Sequence, residues 1–268
     1  MQSEPFNIIL FGEGGVGKSS IINLLADEDI AETSPDAMGC TLESTRYTFP
    51  VLWRTFSIWD TVGLGEAETS DTNYSNAIVK AYTLIQEIQA AGGLDLLLFC
   101  ISGGHRISET ILSNYRLFYE VLCRGRIPIA VVVTKLELEE GKMDAWWERN
   151  ESFIEKCGLK FSGHACVTGL RKHPKAEEGR DALTALLSSG DRDGHFVMPS
   201  ALEWYSVFLK GLSTFSRLAR PKLKQKHLER LLRERCKLDG ASAQKLAEEV
   251  TRGAACGRRA RGKYYQGS

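Results

Sequence analysis

Residues 12–20 read Gly-Glu-Gly-Gly-Val-Gly-Lys-Ser-Ser and follow the apolar run Phe6–Phe11 without a break. Gly12, Gly17, Lys18 and Ser19 meet the spacing G-x-x-x-x-G-K-[ST] in full. Glycines let successive backbone N–H groups turn inward and approach phosphate oxygens with no Cβ in the way. A helix predicted over Lys18–Ala26 adds its free N–H groups and positive dipole end to the same anion site. The segment Glu13, Gly14, Gly15, Val16, Gly17, Lys18, Ser19 and Ser20 is therefore the candidate phosphate cradle. Lys18 supplies a mobile positive charge to the terminal phosphates, and Ser19 offers a hydroxyl to Mg2+. A plain glycine turn would need neither flank, whereas the motif needs a strand before it and a helix after it.

The rest of the chain repeats that alternation. Strand-like runs are predicted at Asn7–Phe11, Arg46–Phe49, Thr55–Trp59, Leu94–Ile101, Ile127–Val133 and, more weakly, His164–Val167. Helical periods fall at Tyr74–Ala91, Ser108–Arg124, Ala145–Cys157 and Arg180–Leu187. Continuous runs such as Leu-Asp-Leu-Leu-Leu-Phe-Cys-Ile suit strands buried on both faces. The expectation is an α/β three-layer fold with a mostly parallel sheet. Two consecutive strand-like segments around Pro50–Arg54 predict one antiparallel hairpin within it. After about residue 190 the strand signals stop, and a helical, basic extension is expected over 191–268, beyond a first domain over 1–190.

Composition narrows the class. No apolar run approaches the roughly 20 residues that span a bilayer, and the first residues carry no basic leader pattern or myristoylation glycine. The seven cysteines, at 40, 100, 123, 157, 166, 236 and 256, form no CxxC pair. They read as free thiols of a reducing compartment, so the expected location is cytoplasmic. The net charge is zero, but from Arg217 onward there are 15 Lys/Arg against 5 Asp/Glu, leaving 19 against 29 before it. An acidic body with a basic tail follows.

A second motif lies in Phe56–Leu64, where an apolar strand ends in Asp60-Thr-Val-Gly63. Asp60 is the candidate to hold Mg2+ through water, and Gly63 can turn its N–H toward a γ-phosphate. Between the two motifs, Thr41 is the candidate hydroxyl that completes the metal site; Thr33, Ser44 and Thr45 are the alternatives. Lys18, Thr41 and Gly63 make up the candidate catalytic set, and Ser19, Thr41 and Asp60 the candidate metal set.

Together with the later Val-Val-Val-Thr-Lys, residues 131–135, these motifs resemble the translation-factor class of GTPases over about residues 5–190. The switch segments and helical C-terminal stretch look most similar to its septin-like and immunity-associated branch. The resemblance implies a P-loop G domain with Mg2+ and bound GTP or GDP. It also implies that the nucleotide sets the conformation of residues about 32–45 and 61–72. Ras-like relatives place a glutamine after Asp-x-x-Gly to orient the attacking water. Here Leu64 stands there and can form no hydrogen bond, so slow turnover is expected, or help from a partner or from His105 and Arg106.

The same class reads guanine through [NT]-K-x-D after a buried strand. This chain has Thr134-Lys135-Leu136-Glu137, with glutamate in place of aspartate. The carboxylate still suits the N–H donors of guanine and repels the N1 acceptor of adenine, while the added methylene shifts it by about one bond length. Glu139 and Glu140 would serve only with a shifted loop. Thr168 and Gly169 are expected to offer backbone N–H groups to the base.

For the basic helix over Pro221–Leu238 three readings stand: it lies on an anionic membrane, it binds a partner or second copy, or its leucines fold back on the acidic body. Basic and aromatic residues are not interleaved in a way that argues for specific nucleic-acid binding. The functional expectation is a slow Mg2+-dependent GTP switch. Its rival is a nucleotide-dependent scaffold that dimerises across the nucleotide face with little turnover. A P-loop ATPase or kinase would leave Thr-Lys-x-Glu without a role.

Overall fold

The computed structural model describes residues 4–32, 44–61, 71–104, 106–123, 125–188, 203, 206, 225–234 and 236–248. Six strands form one sheet: β1 (Phe6–Gly12), β2 (Ser44–Val51), β3 (Arg54–Thr61), β4 (Leu96–Ser102), β5 (Ile129–Thr134) and β6 (Gly163–Cys166). Their order across the sheet is β2-β3-β1-β4-β5-β6, and only β2 runs antiparallel to its neighbour. The ladder between β2 and β3 pairs Ser44 with Thr61 and Thr45 with Asp60. Ser44 and Thr45, alternatives for the metal hydroxyl, are thus strand residues opposite the Asp60 segment.

Helices α1 (Lys18–Ala26), α2 (Asp71–Ala90), α3 (Glu109–Tyr115), α4 (Ala145–Lys156), α5 (Ala176–Ser188) and α6 (Gln225–Glu234) cover the sheet, with a further helical run over 240–248. β1, β4 and β5 are buried along their whole length, as continuous apolar runs require. Alternation then divides the core into two. Ile8, Leu10 and Leu98 pack with α1 and α5, while Ile9, Phe11, Leu97 and Phe99 pack with α2, α3, α4 and α6. The result is the expected three-layer α/β fold with C-terminal helices.

Two helices differ from their sequence signals. The helical run after Ser108 leaves α geometry at Arg116, and residues Arg116–Leu122 are π-helical, with Cys123 N–H donating to the carbonyl of Phe118. The widened turn brings Tyr115, Leu117 and Phe118 together into the core, with Phe118 stacked on Phe11 at 4.3 Å. α5 begins four residues ahead of Arg180. Its polar first turn is used: Glu178 accepts from the Met143 N–H at 2.9 Å, and Gly179 lies against Val167.

The basic helix α6 folds back. Leu228, Leu231 and Leu232 are buried in the same cluster as Tyr82 and Ile85 of α2, and Leu238 packs beside them. Lys226, Arg230 and Arg233 stay exposed. Cys100, Cys123, Cys166 and Cys236 are buried free thiols and Cys157 is half-buried. Among the described residues, no helix is long and apolar enough to cross a membrane.

Candidate functional site

The carboxyl ends of β1, β3, β4, β5 and β6 meet at one edge of the sheet, and the loops that leave them hold most of the candidate residues. β1 ends at Gly12, where a Cβ would sit 2.3 Å from the Cys100 carbonyl oxygen of β4. Only glycine lets the loop start this close to the neighbouring strand. Gly17 caps α1 at φ 95° with no side-chain acceptor for the first-turn N–H groups. A helix start without a side-chain cap is the kind of end that attracts an anion.

Lys18 is buried, and its ammonium group donates to the carbonyls of Gly12 at 3.2 Å and Glu13 at 3.0 Å. The side chain is thereby curled over the cradle. The Ser19 hydroxyl donates to Asp60 Oδ2 at 2.9 Å, joining the first helix to the end of β3. Asp60 Oδ1 is buried with no hydrogen-bond partner among the described residues. Burial pushes the Asp60 carboxyl above its usual range, opposed by the Lys18 charge and the Ser19 hydrogen bond. A hydroxyl beside a carboxylate with a free oxygen is a hard-oxygen donor set, and it fits Mg2+.

Thr134, at the end of β5, is buried behind the phosphate loop, with its hydroxyl 2.5 Å from the Val16 carbonyl and 3.1 Å from that of Ile101. Lys135 is exposed with φ 61°, a left-handed conformation that turns the chain sharply after the strand. Leu136 is buried against Gly103, which leaves Glu137 half-buried with Oε2 3.5 Å from the Thr168 hydroxyl. Gly169, at φ 73°, sits against Ser20 of α1. Glu139 is occupied elsewhere, its carboxylate on Arg149 at 2.5 Å and its carbonyl accepting from Lys175. Glu137 is therefore the acidic side chain of that loop that stands beside Thr168.

Thr33, Thr41, Gly63, Leu64 and His105 lie outside the described residues; Arg106 is exposed. Three contacts carried no sequence signal. Glu13 points away from the cradle and accepts from the Ser108 hydroxyl at 2.7 Å, and Ser108 in turn caps α3. Asn23 holds both backbone groups of Ala31. Arg171 and Arg180 converge on Asp27 and Asp29.

Residues 7–135 match the family described as 50S ribosome-binding GTPase. GTPase Der of Campylobacter curvus is 32% identical over 139 residues, covering 52% of this chain and 27% of that protein. Over these residues the chain is similar to P-loop GTPases of the translation-factor superfamily. The chain is also 28% identical over 188 residues to the tRNA modification GTPase MnmE of Halorhodospira halophila, covering 68% of the chain and 37% of that protein. It thus spans between a quarter and two fifths of the length of these relatives. Among solved structures, Era bound to MgGDPNP and a segment of 16S ribosomal RNA superposes with a TM-score of 0.55 at 17% identity, covering 82% of this chain and 70% of Era. Toc33 of Arabidopsis thaliana with GDP and Mg2+ does so with a TM-score of 0.51 at 16% identity, covering 72% and 86%. Both show a shared fold.

Proposed function

We propose that this protein binds GTP and GDP with Mg2+ and hydrolyses GTP slowly, the bound nucleotide setting the conformation of residues about 32–45 and 61–72. The observation that carries this reading is the Lys18–Ser19–Asp60 group beside the glycine loop, with one buried Asp60 oxygen unpartnered among the described residues. The backbone N–H groups from Glu13 to Ser20 take the phosphates, and Lys18 exchanges its two carbonyl partners for phosphate oxygens. Ser19, Asp60 and Thr41 hold Mg2+, which supplies charge neutralisation on the phosphates. Gly63 senses the γ-phosphate. Thr134 fixes the base strand to the cradle, the Lys135 stem lies along the base, Glu137 accepts from guanine, and Thr168 and Gly169 face its carbonyl.

The branch within the superfamily is proposed from the switch segments and helical C-terminal stretch as septin-like or immunity-associated. With the leucines of α6 buried, its exposed Lys and Arg side chains are left to meet an acidic protein or an anionic membrane surface. Leu64 favours a second reading, a nucleotide-dependent scaffold that dimerises across the nucleotide face with little turnover.

Titration of labelled GTP, GDP and ATP against wild type, Lys18→Ala and Glu137→Asp tests these assignments, with phosphate release followed against protein concentration. Equal affinity for ATP and GTP sinks the guanine reading, and unchanged affinity in Lys18→Ala sinks the cradle. A nucleotide-dependent dimer with no phosphate release selects the scaffold.

A further inference from the structure

The turn that follows α1 is held at two places. Asn23 is buried, its Oδ1 accepts from the Ala31 N–H at 2.7 Å and its Nδ2 donates to the Ala31 carbonyl at 2.8 Å. Arg171, two residues beyond Gly169, reaches the same turn from the base loop. Its Nη1 donates to the Asp27 carbonyl and lies 3.8 Å from the Asp27 carboxylate, and its Nη2 is 2.9 Å from Asp29 Oδ2. Arg180 of α5 adds a second guanidinium, 2.5 Å from Asp27 Oδ1. Asp27 itself is left-handed at φ 57° as the C-cap of α1. A cleft of about 460 Å3 between the two segments is lined by Ser20, Asn23, Asp29, Gly169 and Arg171, among others.

We infer that Arg171 is a positioning residue that slows the release of nucleotide by bolting the base loop to the turn at Asp27–Asp29. The inference rests on the reading of this edge as a guanine-nucleotide site. Thr168 and Gly169, the base-facing residues, cannot withdraw from α1 without carrying Arg171 with them. Arg171 then has to give up a backbone carbonyl and two carboxylates together. A single exposed ion pair would matter little. One planar guanidinium shared among three oxygens, with Arg180 holding the same carboxylate, forms a charge-assisted network. The turn also leads directly into the first switch segment, so base contact and the root of that segment move as one unit.

The test is the release of a fluorescent GDP, preloaded on the full chain and chased with excess unlabelled GDP. Arg171→Ala is expected to speed release by about tenfold and to leave the association rate within about twofold, since the bolt acts on departure. Asp29→Asn is expected to speed release by a smaller factor, and the double variant to match Arg171→Ala, because both remove one network. Raising salt from about 0.05 to 0.5 M should speed release from wild type and leave Arg171→Ala nearly unchanged. Release from Arg171→Ala at the wild-type rate overturns the inference while leaving the nucleotide site standing. An unaltered salt response in that variant does the same. Failure of the wild type to bind GDP overturns both.

Discussion

The Thr134 hydroxyl lies 2.5 Å from the carbonyl oxygen of Val16, 118 residues earlier in the chain. One short side chain thus ties the end of β5 to the glycine loop between β1 and α1. Thr134→Val keeps the shape but leaves a buried carbonyl unpaired, at a cost of about 1–3 kcal/mol. Urea unfolding should show that loss, and GTP and GDP affinity should fall together. Thr134→Ser should restore most of both, because the hydroxyl is what bridges the two loops.

Asp60 should show opposite effects on folding and on metal. Its carboxylate is buried with one oxygen unpaired among the described residues, and burial disfavours its charge. Asp60→Asn is expected to raise the melting temperature of the nucleotide-free protein. It should also weaken the Mg2+ dependence of GTP binding by about tenfold or more, measured by titration with and without Mg2+. A lower melting temperature together with unchanged Mg2+ dependence would contradict the assignment.

Leu232 reports on the fold-back of α6. Its side chain is 0% exposed within the cluster that includes Tyr82 and Ile85. Leu232→Ala should cost about 2–5 kcal/mol in denaturant unfolding. Leu238, only partly buried, should cost less on the same substitution. Limited proteolysis should cut near residues 225–234 faster in Leu232→Ala than in wild type if the helix has lost its seat.

Burial pushes the Cys166 thiol up to about 12, and Cys100 and Cys123 also move upward for the same reason. None of the three should react with a thiol reagent at pH 8 until the protein unfolds. The sign for stability follows by linkage. In the unfolded chain the Cys166 thiol ionises near pH 9. In the folded chain it stays protonated, so the unfolded state binds fewer protons and stability falls as pH rises above that value. Between pH 9 and 10 the Cys166 contribution is on the order of 1 kcal/mol. Cys166→Ala should lose correspondingly less stability over that interval in paired urea melts.

What the sequence could reveal depended on distance along the chain. The phosphate cradle is contiguous, and its glycines, lysine and serine announce themselves with the strand and helix that flank them. Asp60 drew attention because it ends an apolar strand at a workable spacing from Ser19, and the two side chains are hydrogen-bonded. Fully buried strands declare themselves by composition alone. The π-helical stretch left no mark, because Tyr115, Leu117 and Phe118 read as an ordinary helical face until Phe11 and Phe99 are placed opposite them. The start of α5 was missed because Glu178 and Gly179 look like turn residues, and their partners Met143 and Val167 are remote. Arg171 reaches Asp27 across 144 residues, and surface arginines are too common for composition to single out this one.

The ladder between β2 and β3 has a mechanical consequence. Its last rung joins Ser44 to Thr61, so the chain stretches ending at 43 and beginning at 62 depart from one rung, side by side. A tug on either is delivered as shear along an eight-residue antiparallel ribbon at the rim of the sheet. Ser44 and Thr61, sharing that rung, behave as a single lever with two handles. Whatever displaces one of the two residues tensions the other through the ladder.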